Sequence, residues 1–270
     1  MIKPGWRAIV LAALCTLLLP LWVQAQDLTQ TQGATPQPEQ LRSAVPKDIV
    51  TRAKLRTELA ALYFQAGDPI VALEELTLAL SVNPDYAPAY SLRGLVLFQL
   101  KEFDSAEKDF KRALSLDDKS PEINNNFGWY LCQSGRAKES IDYFQKAIRN
   151  PLYRTPELAW LNVGACYIKL NELDAADDAL RRIIRFSPEN PQALYNLALV
   201  AYKRGNFEAA KMHLMTVVKK VEPNAELLWL LVRVDRRLGD RISEESATAQ
   251  LRRKYADSPE YQELLKGNYE

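Results

Sequence analysis

The chain has 270 residues, 47% of them hydrophobic and 26% charged, enough to bury a sizeable core as one long domain or as an array. A net charge of +1 lacks the basic surplus of a general nucleic-acid binder, and 10 glycines are too few for an all-β fold with many tight turns. One His and 3 Cys nearly exclude a zinc site of such ligands, and no cofactor is expected.

The N-terminus reads as a targeting segment. Lys3 and Arg7 precede the apolar run "AIVLAALCTLLLPLWV", and "VQAQ" follows with Val23 and Ala25 at the signal-peptidase positions. Residues 1–25 are therefore expected to be a signal peptide cut after Ala25, with an uncleaved anchor as the alternative. Lipidation at Cys15 fits poorly, because Leu14 stands where a small residue belongs and the apolar stretch continues past Cys15. Residues 26–46, opening "QDLTQTQGATPQPEQ", are too polar to offset their chain entropy and read as a flexible tether.

From there the chain repeats. Ala60, Gly94, Gly128, Gly164 and Ala198 form one column of small residues, and Ala72, Ala106, Ser140, Ala176 and Ala210 a second. Ala79, Ala113 and Ala147 form a third. The period is 34, with one two-residue insertion near "NPLYRTPE". Apolar residues fall at helical spacing on both sides of turn glycines Gly67, Gly135, Gly205 and Gly239. Pro84, Pro188 and Pro223 close second helices. Small residues let two helices of a pair cross closely, with Tyr63, Phe110, Phe144 and Tyr167 filling the space beside them. The expectation is an all-α tetratricopeptide-repeat solenoid over 47–270, about six helix pairs forming a curved superhelix. Its units are 53–86, 87–120, 121–156, 157–190, 191–224 and a degenerate 225–261, whose second helix should run about three residues long before Pro259.

Such arrays bind more often than they catalyse. His213 has no second His to work with and reads as a surface residue, and no Gly-rich phosphate loop is present. Acidic residues alternate with basic ones, as in "KEFDSAEKDFKRAL", which reads as a solvated face with i,i+4 pairs. The chain is expected not to be an enzyme, and its partner is expected to be a protein rather than nucleic acid.

The segments "NNNFGWYLCQSGRAKESIDYFQKAIRNPLYRTPELAWLNVGACYIKL", "LLWLLVRVDRRLGD" and "DSPEYQELL" resemble the type IV pilus biogenesis and stability protein, the pilotin of the pilus secretin in Gram-negative bacteria. The resemblance covers about residues 50 to 265. It implies a periplasmic adaptor that binds secretin subunits and helps them reach, and multimerise in, the outer membrane. The family is usually lipidated through a Cys at the end of the signal peptide, and this sequence departs there. A generic envelope scaffold and a holdase-like chaperone for outer-membrane proteins remain as alternatives.

The first helix of each pair should line the concave side. Counting each turn Gly as position fifteen, positions five, nine and twelve give Phe64, Leu95, Phe98, Asn125, Trp129, Leu161, Ile168, Tyr195, Leu199, Tyr202 and Trp229. An exposed surface that apolar needs a cover, and Tyr and Trp are frequent anchors, although several of these could simply pack between units. Position thirteen reads Gln65, Gln99, Gln133, Lys169, Lys203 and Arg237, so the groove turns basic in its second half, with Arg233 and Arg236 nearby. An acidic or C-terminal peptide would gain there, and a snorkelling rim is the plainer alternative.

Once the leader is removed, Cys132 and Cys166 are the only thiols. They occupy positions twelve and ten of adjacent first helices, about 200° apart in rotation, which suits neighbouring helices that present opposite faces. Axes about 8–10 Å apart would put the Cα atoms about 4–5 Å apart, within disulfide reach. In an oxidising periplasm the pair is expected to close, the alternative being two buried thiols.

Overall fold

The computed structural model describes residues 48–269; the expected leader, with Cys15, and the expected tether lie outside them. All regular structure among the described residues is helical. The helices are α1 (Ile49–Gln65), α2 (Pro69–Val82), α3 (Ala87–Gln99), α4 (Phe103–Leu116), α5 (Pro121–Gln133), α6 (Ala137–Arg149) and α7 (Pro156–Lys169). They continue as α8 (Leu173–Phe186), α9 (Pro191–Lys203), α10 (Phe207–Val218), α11 (Ala225–Leu238), α12 (Arg241–Lys254) and α13 (Pro259–Lys266).

Consecutive helices pair as α1/α2 through α11/α12, and each first helix also touches the first helix of the next unit. Second helices pack on the following first helix rather than on one another. The array therefore closes up on the side of the first helices, which makes that side the inner one.

Local chemistry fixes where the helices start and stop. Proline opens α2, α5, α7, α9 and α13, where its missing N–H is not needed. Ser120, Asn190, Asn206 and Asn224 cap α5, α9, α10 and α11 by accepting a backbone N–H three residues on. Within the helix pairs, Gly67, Gly135, Gly205 and Gly239 turn the chain at φ between 73° and 85°. Lys101 and Asn171 hold the same left-handed turn in units two and four without glycine.

The small-residue columns have a steric partner sixteen residues on. A Cβ at Gly94 would lie 2.9 Å from the Phe110 ring, one at Gly128 3.0 Å from the Phe144 ring, and one at Gly164 2.9 Å from Leu180. Ala60 and Ala198 stand in the same column, and there the residues sixteen on are Leu76 and Leu214. A bare glycine thus accompanies each phenylalanine, and alanine accompanies leucine in units one and five. Unit four combines glycine with leucine. Phe110 and Phe144 are fully buried as expected, whereas Tyr63 is exposed and Tyr167 only half-buried.

Three boundaries differ from the sequence reading. Helix α1 begins at Ile49, four residues before 53, because the Asp48 carboxylate caps it through Val50 and Thr51. Helix α7 begins at Pro156 rather than 157. The last second helix is not long: α12 ends at Lys254 with the same 14 residues as α2 and α4. The chain then turns, Ser258 caps Tyr261, and Pro259 opens a separate helix.

Candidate partner-binding groove

Helices α1, α3, α5, α7, α9 and α11 carry the expected groove residues. Eight of the eleven apolar or amide positions are half-buried: Phe64, Leu95, Phe98, Trp129, Leu161, Tyr195, Leu199 and Tyr202. In the front half Phe98 is the hub. Its ring meets Trp129 at 5.1 Å, Phe103 at 5.4 Å and Tyr130 at 5.8 Å, all edge-on. Such geometry suits the quadrupoles of the rings and fixes their orientation. Trp129 keeps part of its surface free, so a rigid aromatic stands ready on the inner face.

Three positions are not open groove. Ile168 belongs to the core cluster between α7, α8 and α9. Trp229 is 8% exposed and sits in the core of the last two units. Asn125 is buried and works between helices instead: its carbonyl accepts from Asn162 on α7 at 3.0 Å. Its neighbour Asn126 donates to Ser91 on α3 at 3.1 Å. Amides pointing both ways from α5 thus tie three units together, and burial makes those bonds costly to lose.

The basic second half is present and in part occupied. Lys169 donates to Gln133 at 2.7 Å, and Lys203 and Arg237 are exposed. The Arg233 guanidinium lies over the rings of Tyr202 at 5.0 Å and Trp229 at 5.6 Å. Arg236 pairs with Glu244 and lies 3.9 Å from the ring centre of Tyr269. That tyrosine belongs to the chain's own C-terminal tail. Helix α13 packs on α11, Gly267 stops it in a left-handed conformation, and the tail crosses the inner face. The Tyr269 ring lies 5.5 Å from Trp229, and the Tyr202 hydroxyl donates to the Tyr269 carbonyl at 3.1 Å. The groove expected to be open at this end is therefore covered by Tyr269. Beyond "DSPEYQELL" the sequence signals this tail only by a lone Tyr after a helix-stopping Gly. Burial pushes the Tyr195 phenol up to about 12, so this ring stays neutral.

Other charges lie where the solvated-face reading did not put them. Asp109, within "KEFDSAEKDFKRAL", is buried and grips Arg93 through two bonds of 2.6 and 2.9 Å. Asp235 is 1% exposed and pairs with Lys211. His213 is half-buried rather than a surface residue, and loss of solvent lowers its pKa, with Arg181 adding to the effect. The structure brings Cys132 and Cys166 together with Cα atoms 6.0 Å apart, somewhat wider than the helix-packing estimate and inside disulfide reach.

Comparison with known proteins fits this geometry. Tetratricopeptide-repeat models match residues 87–120 and, with a second model, 125–191 and 167–211. The crystal structure of PilW, a widely conserved type IV pilus biogenesis factor, superposes with a TM-score of 0.71 at 32% identity, over 79% of this chain and 98% of PilW. The chain belongs to this family of type IV pilus biogenesis factors. The type IV pilus assembly protein PilF of Pseudomonas aeruginosa is 25% identical over 207 residues, 77% of this chain and 82% of PilF. The PilF structure shares the fold at a TM-score of 0.68. Family membership places the groove on a pilus biogenesis factor. No helix of the described residues is long and apolar enough to cross a membrane.

Proposed function

We propose that this pilus biogenesis factor is a non-enzymatic pilotin. In this reading it binds subunits of the pilus secretin along its inner face and promotes their localisation and multimerisation at the outer membrane. It works in the periplasm, delivered there by the 1–25 leader and attached to membrane only if that leader is retained. Family membership across 98% of PilW supports the pilus setting. The observation that carries the binding reading is the row of half-buried aromatics on the inner face, centred on Trp129 against Phe98.

Capture of a secretin by the mature chain tests this. Trp129→Ala with Tyr202→Ala should weaken capture about tenfold or more while circular dichroism is unchanged. Unchanged capture by a folded double variant would overturn the groove as the docking face. Retention of many unrelated unfolded chains in place of the secretin would favour a holdase. Mass spectrometry of the mature N-terminus tests location: a start at Gln26 supports a soluble periplasmic protein, and a diacylglyceryl adduct on Cys15 refutes it.

A further inference from the structure

The end of the inner face at α9 and α11 differs from the rest because the chain itself lies in it. Trp229 and Arg236 form a cradle against the ring of Tyr269, the Tyr202 hydroxyl donates to its carbonyl, and the Arg233 guanidinium lies behind, over the rings of Tyr202 and Trp229. The tail is held there by one tilted ring–ring contact, by one cation–π contact and by one hydrogen bond to its backbone carbonyl. These contacts read an aromatic ring and one backbone carbonyl, and they make no use of where that segment comes from. Around them Lys203 and Arg237 are exposed, and the Arg237 guanidinium lies 5.7 Å from the ring centre of Phe207. The residue after Tyr269 in the sequence is Glu270, which carries a carboxylate.

We propose that this cradle is a receptor for an aromatic residue followed by a carboxylate in a partner peptide, and that Tyr269 is a resident stand-in which the partner must displace. The proposal rests on the inner face being the binding face, and adds the chemistry and the regulation of one end of it. The ring pocket supplies shape, and Lys203, Arg233 and Arg237 supply a positive field for the adjoining carboxylate. A covalently attached occupant has a high local concentration, so it lowers the apparent affinity of any competitor. The front of the groove, with Trp129, then makes first contact, and the basic end engages only a segment that can outcompete the tail.

Calorimetry with a synthetic peptide of residues 266–270, Lys-Gly-Asn-Tyr-Glu, tests this in two backgrounds. The first is the mature chain. The second is a variant lacking 267–270, checked by circular dichroism. The truncated chain should bind the peptide at least about tenfold more tightly than the full chain, and a peptide with Ala for Tyr should lose about tenfold. Arg236→Ala in the truncated chain should weaken binding severalfold. Full-length Tyr269→Ala opens the cradle with every other residue in place, and should bind the peptide like the truncated form. Equal affinity of truncated and full chains for the peptide would overturn the proposal. So would loss of folding in both the truncation and Tyr269→Ala, because the tail would then be a fixed part of the core. Secretin capture run in parallel separates the two ideas. Peptide binding without secretin capture leaves the cradle and removes the pilotin reading; secretin capture without peptide binding does the reverse.

Discussion

The first three units and the last two share one backbone plan, yet their inner faces are unlike. In front, position thirteen is Gln65, Gln99 and Gln133, and Trp129 stands half-free beside Phe98. Behind, the same position is Lys203 and Arg237, and the chain's own Tyr269 covers Trp229. Repetition fixes where a side chain points, but not what it does. The front offers a neutral aromatic surface, while the back offers a charged one already in use. A partner meeting both would find anchoring area at one end and a conditional, charge-dependent contact at the other.

The Cys132–Cys166 pair lies at the border between these halves, and breaking it gives the largest expected effect. A closed disulfide there spans a loop of about 35 residues, which on the chain-entropy model stabilises by about 3–4 kcal/mol. Without it, the junction of α5 and α7 keeps the Asn162–Asn125 and Lys169–Gln133 bonds and the surrounding packing. Urea unfolding with and without reductant should differ by that amount, and denatured, unreduced mature protein should label no thiols. Two free thiols per chain would refute the bond.

The next test compares the cores. In Gly128→Ala the new methyl would meet three carbons of the Phe144 ring, a rigid plate whose atoms must all move together. In Gly164→Ala it would meet Leu180, which can turn about its side-chain torsions. Overpacking costs about 1–3 kcal/mol, less up to about 1 kcal/mol gained by replacing a helical glycine. Gly128→Ala should therefore be the more destabilising of the two in thermal unfolding. The reverse order would mean that the ring is the more yielding neighbour.

Much of this was legible in the sequence. The 34-residue columns located the helix pairs, and the rotation between positions twelve and ten placed Cys132 opposite Cys166. A turn glycine said where to start counting, so which first-helix residues share a face was readable too. What escaped needs a second strand of information. Asn125 has the right rotation for the groove, but an amide on an adjoining helix claims it. Asp109 falls in a stretch of alternating charge, and nothing in that stretch announces Arg93 sixteen residues earlier. Tyr269 is non-periodic, beyond the last repeat, and only the packing of α13 on α11 brings it back over Trp229. Periodicity predicts contacts that recur; it is silent on contacts made once.

The smallest effect separates the halves by acid. Glu107 on α4 accepts from Lys111 and Arg136, which lower its pKa to about 2. A carboxylate with a depressed folded pKa contributes stability above its ordinary value of 4.5, and that stability is lost as pH falls through about 2. Glu107→Gln should thus be less stable than the parent at pH 6, by about 0.5 kcal/mol, the size of a partly exposed ion pair. The gap should close between pH 4.5 and about 2. Asp235 behind behaves with opposite sign. Burial raises its pKa above 3.8 despite the opposing pull of Lys211, so the folded state binds a proton more readily than the unfolded chain does. Its contribution to stability therefore grows as pH falls from the raised value toward 3.8. Measured against Asp235→Asn, which cannot titrate, the parent should gain on its variant across that window, while across its own window it loses its lead over Glu107→Gln. Thermal midpoints of the three proteins at stepped pH would show the two gaps moving in opposite directions. Parallel movement would mean that Asp235 is held as firmly by Lys211 as Glu107 is by its two cations, and that the halves do not differ in how they carry charge.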